Sequence, residues 1–449
     1  MKQKENLTEG PVLGSLLRFA VPVFAAMILQ SLYGAVDLFV VGQFAETADV
    51  SGVSTGSQLV HTITMIVTGL AMGVTVFVGQ RIGRKETKEA GEAIGTGIIV
   101  FVILAAVLSL LLVLLTRPIA TAMQAPPEAY EQTCDYIRIC GFGMLFVVLY
   151  NLVGAILRGL GDSKTPLLTV LIAAIVNMAG DLFFVCVLHM GAAGAAAATV
   201  LAQAVSVVCS VVILTRKTLP FEFSRKSIRL RKFYAGAILR LGVPIALQEL
   251  LVGLSFILIQ AVVNAMSVVA SAGVGVAEKV CAFLMLVPSA FSQAISAFVA
   301  QNIGAGKKDR ALKALWCGIA ASLCAAVFIG SFSFLRGDLL ARIFTRDPLV
   351  IVQAHDYLKA YAIDTLLTSI MFCFVGYYNG CGNTWFVMGQ GIIGALAVRV
   401  PMVFVMQRIP NATLFHIGLS TPSATVVQII LCVLFFRYLK KREREQISM

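Results

Sequence analysis

Residues 17–30 read LRFAVPVFAAMILQ, and residues 239–252 read LRLGVPIALQELLV. The two stretches match at an offset of 222, and Pro22 answers Pro244. Two further pairs keep nearly the same spacing. VGQRIGRKETKEA from Val78 resembles VAQNIGAGKKDRA from Val299, and RGLGDSKT from Arg158 resembles NGCGNTWF from Asn379, both at an offset of 221. Three matches at one spacing divide the chain into two homologous halves.

The 449 residues are 59% hydrophobic and 13% charged, with mean hydropathy +0.90. A soluble domain carries about 25% charged residues. Apolar stretches of about 20 residues recur throughout, each long enough to cross a ~30 Å hydrocarbon core as a helix. The pattern predicts spans near 15–41, 50–79, 92–116, 130–157, 165–188 and 193–215. A second set follows near 236–265, 271–300, 311–335, 351–378, 385–407 and 413–438. The alternating pattern of a membrane β-barrel is absent from the sequence. Lys and Arg number 23 in the two tails and one set of alternate loops, against 5 in the other set. That asymmetry places both termini in the cytoplasm and requires an even number of spans.

The expected fold is therefore an all-α polytopic membrane protein with twelve transmembrane helices in two six-helix lobes. Six spans is even, so the lobes share one orientation. They are related by a pseudo-two-fold axis along the membrane normal, with a transport pathway between them. The expected organisation is an N-terminal lobe over 1–215, a basic cytoplasmic linker over 216–235 and a C-terminal lobe over 236–449. The net charge of +12 is read as cytoplasmic loop charge rather than as a nucleic-acid surface. The ten cysteines lie in apolar stretches without CxxC spacing, which suits reduced packing residues. The N-terminal MKQKENLTEGPVLGSLLRFA lacks a signal-peptide pattern and reads as a cytoplasmic tail.

Ionisable residues at membrane depth are costly, about 2.5–3.5 kcal/mol each on insertion scales, and mark function. In the first half these are Asp37, inside LQSLYGAVDLFVVG, and Asp181, inside VNMAGDLFFV. Counted from Arg18 and Lys164 they lie roughly 28 and 26 Å from the cytoplasmic edge, a common depth. Asn177 precedes Asp181 by one turn on the same face. Thr199 adds a hydroxyl from the next span. Two carboxylates with amide and hydroxyl oxygens suit a proton or a small cation such as Na⁺. The second half carries Glu249, Glu278, Lys279, Asp364 and Arg399 instead, a set able to pair internally, and Asp37 maps there onto Ile259. Pro22 and Pro244 each remove a helix hydrogen bond and mark a possible bend. Met27, Met144, Met178, Phe142 and Phe146 are candidates for a soft cavity wall.

The motifs VPVFAAMILQSLYGAVDLFVVG, RGLGDSKTPLL and VNMAGDLFFV, with the basic loops after the second and eighth spans, resemble the multidrug and toxin extrusion (MATE) family. The similarity covers nearly the whole chain, and the paired aspartates look more DinF-like than NorM-like. The resemblance implies a bacterial inner-membrane antiporter that works by alternating access. It would export amphipathic or cationic compounds in exchange for H⁺ or Na⁺, as a monomer, with no other cofactor. It also implies that Asp37, Asn177, Asp181 and Thr199 form the cation site, with bending near Pro22 linked to it. The family's NorM-like branch uses acidic ligands on the seventh and tenth spans, where Glu249 and Asp364 lie. The alternative is a flippase for a lipid-linked precursor, which would want a basic cavity. An enzyme is not expected. There is no G-x-x-x-x-G-K-[ST] or H-E-x-x-H, and His61, His189, His355 and His416 are dispersed.

Overall fold

The computed structural model describes residues 7–217 and 219–447. The first six residues of the expected cytoplasmic tail and Thr218 of the expected linker lie outside the described residues. Among the described residues every regular element is helical. In the first half these are α1 (Val12–Phe44), α2 (Thr47–Gly83), α3 (Thr87–Leu114), α4 (Thr116–Ala122), α5 (Tyr130–Phe142), α6 (Met144–Gly159), α7 (Lys164–Asp181) and α8 (Gly191–Arg216). In the second they are α9 (Lys232–Asn264), α10 (Val268–Leu284), α11 (Leu286–Gly304), α12 (Lys308–Ala341), α13 (Pro348–Cys381), α14 (Thr384–Ile392), α15 (Val400–Gln407), α16 (Leu414–Gly418) and α17 (Ser420–Ile447).

Among the described residues eleven helical segments are long and apolar enough to span, and the bent pair Pro127–Phe142 and Met144–Gly159, taken as one span, makes twelve. That fourth span is not one straight helix, because it turns by 54° at Gly143. Most spans overrun the apolar cores read from the sequence. Thr47–Gly83 covers the stretch expected at 50–79, and Val268–Gly304 the stretch expected at 271–300. Helical hydrogen bonding continues through polar ends such as Gln80 and Arg81, which hydropathy alone assigns to loops.

The repeat extends to backbone detail. The second and eighth spans begin and end 221 residues apart, and the turns after α6 and α13 place Gly161 (φ 83°) and Gly382 (φ 86°) in the left-handed region. Only glycine enters that region without steric cost. A π-helical segment, Leu182–Val187, follows α7, and another, Ile393–Arg399, separates α14 from α15.

The chain divides into two compact units. The first comprises Leu17–Ala246 with Ala300–Lys307 and the described part of Met1–Gly10; the second comprises Leu247–Val299, Lys308–Met449 and Pro11–Leu16. In the first unit Val74, Phe101, Leu152 and Ile238 centre one buried cluster. Lipid is as apolar as these side chains, so helix association there relies on close packing and polar links. Thr75 donates to the Ala155 carbonyl at 2.9 Å, and Ser206 to the Thr169 carbonyl at 3.1 Å.

The expected linker ends earlier than 235, because α9 starts at Lys232 and buries Tyr234 against Phe77. The preceding residues are docked on the start of α3. Glu222 N–H donates to the Thr87 carbonyl at 3.2 Å, and Thr96 donates to the Arg229 carbonyl at 2.9 Å. Glu92 accepts from Arg231 at 2.6 Å and from the Tyr234 hydroxyl at 3.0 Å.

Candidate functional site

Asp37 lies in the C-terminal stretch of α1, a helix that runs unbroken through Pro22. Asn177 and Asp181 end α7, one turn apart, and the π-helical segment starts at the next residue. A π segment widens the helix by a residue and is frequent at functional sites. Thr199 projects from α8. Gly180 explains how α8 comes so near: a Cβ there would sit 3.0 Å from the Ala198 Cβ. The missing side chain lets α7 and α8 approach and sets Thr199 beside the carboxylates.

All four side chains are buried, with Asn177 and Asp181 fully so, Asp37 6% and Thr199 9% exposed. Thr199 Oγ1 donates to Asp37 Oδ2 at 3.1 Å. Asp181 and Asn177 adjoin the Asp37 carboxylate. Yet Asp37 Oδ1, both Asp181 oxygens and both amide atoms of Asn177 are buried without a hydrogen-bond partner. Most buried polar groups are satisfied, and orphaning one costs about 1–3 kcal/mol. Five orphaned atoms converge here, and two facing carboxylates repel unless a proton or cation compensates them. The donor set is oxygen-rich and fits a hard monovalent ion.

Three neighbours escaped the sequence reading. Tyr136 and Cys140 on α5 are buried beside Asp37, Tyr136 also beside Asp181 and Thr199, and Tyr33 flanks Asp37 on its own helix. The only signal was the buried stripe Thr133, Tyr136, Ile137, Cys140 along α5. Asn151 is satisfied elsewhere, accepting from Thr68 at 2.8 Å and donating to the Val147 carbonyl at 2.8 Å. The expected cavity wall is not gathered in one place. Met144 is packed in the core, whereas Phe142 is 68% exposed.

The five charged residues of the second half separate. Among the described residues no ion pair joins any two of them. Asp364 is 3% exposed and accepts from Thr425 at 2.6 Å and Thr368 at 3.1 Å. Arg399 is 6% exposed, donates to Ser255 at 3.0 Å and stacks its guanidinium 4.4 Å from the Phe256 ring centre. Glu249 and Glu278 are half-buried on α9 and α10, and Lys279 is exposed, 5.9 Å from the Phe344 ring centre. All ten cysteines are free thiols, and no group of three or more His, Cys, Asp or Glu could hold a metal among the described residues.

Fold and site together define a multi-pass, all-helical membrane transporter with an internal repeat and a buried acidic pair in its first half. The MatE family model matches residues 22–183 and again 244–405, the same segment twice at the offset of 222. The chain belongs to the MatE family. It is 26% identical over 439 residues to the probable multidrug resistance protein YoeA of Bacillus subtilis, covering 96% of this chain and 94% of that one. It is 24% identical to the probable multidrug resistance protein NorM of Thermotoga maritima, covering 96% and 93%. Among solved structures, a multidrug resistance MATE transporter of the MOP superfamily in an outward-facing conformation matches with TM-score 0.91 at 19% identity, covering 99% of both chains. A MATE structure in a bent conformation matches with TM-score 0.91 at 19% identity, covering the whole of both chains. At such identity these likenesses speak for the fold.

Proposed function

We propose that this protein is a secondary antiporter of a bacterial cytoplasmic membrane. It exports amphipathic or cationic compounds while H⁺ or Na⁺ enters through the Asp37, Asn177, Asp181 and Thr199 site. The observation that carries the reading is the convergence of five unpartnered buried polar atoms on Asp37, Asn177 and Asp181. The multidrug resistance names of its relatives support the export of drugs. The acidic pair disfavours a lipid-linked pyrophosphate as cargo, since like charges would meet.

Ion arrival changes the charge at Asp37, and Asp37 sits on the helix that Pro22 leaves one hydrogen bond short. A charge change at one end of a bendable helix biases two conformations, which the gradient then drives. Both termini face the cytoplasm on this reading, and a monomer suffices. Pure protein in liposomes loaded with ethidium tests it under imposed H⁺ and Na⁺ gradients. Efflux should accelerate under one gradient and stop on its collapse. Efflux indifferent to both would contradict the reading.

A further inference from the structure

The stretch between α8 and α9 reads KTLPFEFSRKSIRLRK over residues 217–232 and carries six Lys or Arg. Two missing side chains seat its backbone on α3. A Cβ on Gly91 would strike the Glu222 carbonyl oxygen, and one on Gly95 the Ser227 carbonyl oxygen. The two glycines are one turn apart, on one face of α3. The Glu222 N–H, the Arg229 carbonyl and the Arg231 guanidinium add polar links to the same helix. The segment is thus a strap held down by its backbone.

What the strap leaves exposed is of two kinds. Phe223, Ile228 and Leu230 are exposed, as is Phe233 at the head of α9, by 67%. Lys226, Arg229 and Lys232 are exposed between them. Among the described residues none of these three makes an ion pair, whereas Arg231 is taken by Glu92. Apolar side chains beside free cations suit the boundary of a bilayer that carries anionic headgroups. The depth agrees. α3 has 28 residues, about 42 Å at 1.5 Å each, against a hydrocarbon core of ~30 Å. Leu110, Leu111 and Leu114 are exposed near its far end, so the excess length lies at the Thr87 end, where the strap is docked. The exposed apolar surface also continues from Phe233 along α9 through Leu239 and Val243.

We propose that the strap is a binding surface for anionic phospholipid. Lys226, Arg229 and Lys232 hold headgroup phosphates, while Phe223, Ile228, Leu230 and Phe233 enter the boundary beneath them. Each basic residue kept near an anionic surface adds about fivefold to affinity. Docking on the glycine face of α3 presents these charges as a fixed set, where an undocked loop would meet headgroups as a changing one. Such binding requires neither an ion gradient nor a cargo, so it stands apart from the antiporter reading.

The test uses the full chain in nanodiscs of phosphatidylcholine with a rising share of phosphatidylglycerol and a fixed share of a lipid brominated near its headgroup. Phe223→Trp, with Trp316→Phe and Trp385→Phe to remove the two native tryptophans, reports lipid contact by fluorescence quenching. Quenching should rise with phosphatidylglycerol and fall back in 1 M salt, where the screening length is about 3 Å. Lys226→Gln, Arg229→Gln and Lys232→Gln together should abolish the rise. Lys440→Gln, Lys441→Gln and Arg442→Gln, an equal loss of charge on α17, should leave it intact. The proposal is overturned if the tryptophan escapes quenching in every lipid, as it would on a strap that faces water or awaits a protein partner. It is equally overturned if quenching ignores phosphatidylglycerol, or if the α17 variant abolishes the rise as fully as the strap variant does. A second reading needs no tryptophan exchange. Phosphatidylglycerol retained through purification, counted by native mass spectrometry, should drop in the strap variant, and retention equal to that of the wild type overturns the proposal.

Discussion

In the first half a proline-bearing helix brings Asp37 to Asp181, Asn177 and Thr199. In the second half the homologous helix bears Pro244 at the same point, yet brings Ile259 into an apolar cluster. The scaffold is shared down to the proline and the glycine-capped turn, whereas the π-helical segments fall about ten residues out of register with the repeat. The chemistry differs: two clustered carboxylates in the first half, and in the second one buried carboxylate held by Thr368 and Thr425 with a buried arginine on Ser255. Duplication thus preserved the proline and the turn while the charges diverged, and on the antiporter reading only the first half would answer an ion gradient.

Removing a carboxylate from the first site should cost most. Asp181→Asn should slow gradient-driven ethidium efflux by about 100-fold, some 2.7 kcal/mol of coupling, at matched protein levels in vesicles. Wild-type efflux would reduce Asp181 to a packing residue. Asn177→Ala should cost about tenfold, because carboxylate and hydroxyl oxygens remain. Thr199→Val removes the single hydrogen bond made to Asp37 and should cost about 1 kcal/mol, or roughly fivefold. An effect as large as that of Asp181→Asn would make the hydroxyl a principal ligand.

Stability offers a separate readout. Gly180→Val would press a side chain against Ala198, already 3.0 Å from an added Cβ, and overpacking costs about 1–3 kcal/mol. Its melting temperature in detergent should fall. An unchanged value would show that α7 and α8 tolerate separation.

The smallest effect concerns a turn in which the halves again differ, since Asp162 corresponds to Asn383. Burial alone would raise the Asp162 pKa. The Lys217 ammonium at 2.6 Å, the Thr165 hydroxyl at 2.6 Å and the Thr165 N–H at 2.9 Å outweigh it and hold the carboxyl below its usual range. A depressed folded pKa adds stability above the unfolded value of about 3.9, lost as pH falls through the folded pKa. Lys217 is 48% exposed, so Asp162→Asn should cost no more than about 1 kcal/mol at neutral pH. The melting temperatures of wild type and variant should converge as the medium is acidified below that range. A gap that persists in acid would assign the loss to packing.

Asp37 and Asp181 stood out as candidates because a carboxylate within an apolar run is costly to bury, and Asn177 because helical spacing puts it on the same face as Asp181. Twelve spans and the duplication were legible for similar reasons of length and offset. Tyr136 and Cys140 were not, since an aromatic ring or thiol on an apolar helix looks like any packing residue. Nor was the docking of residues 222–231 on α3, where the backbone bond from Glu222 to Thr87 and the Arg231–Glu92 pair join residues whose proximity no spacing in the sequence encodes. The absence of ion pairs among Glu249, Glu278, Lys279, Asp364 and Arg399 depends on helix rotation, which composition does not encode.

The central claim is that the first half couples and the second does not. It is tested most directly by placing Asp37→Asn and Asp364→Asn side by side in the same liposomes and timing ethidium efflux under one imposed gradient. The account predicts that Asp37→Asn folds and binds dye but no longer accelerates with the gradient, whereas Asp364→Asn accelerates as the wild type does. Gradient-driven efflux that survives Asp37→Asn, or that is abolished by Asp364→Asn, would contradict it.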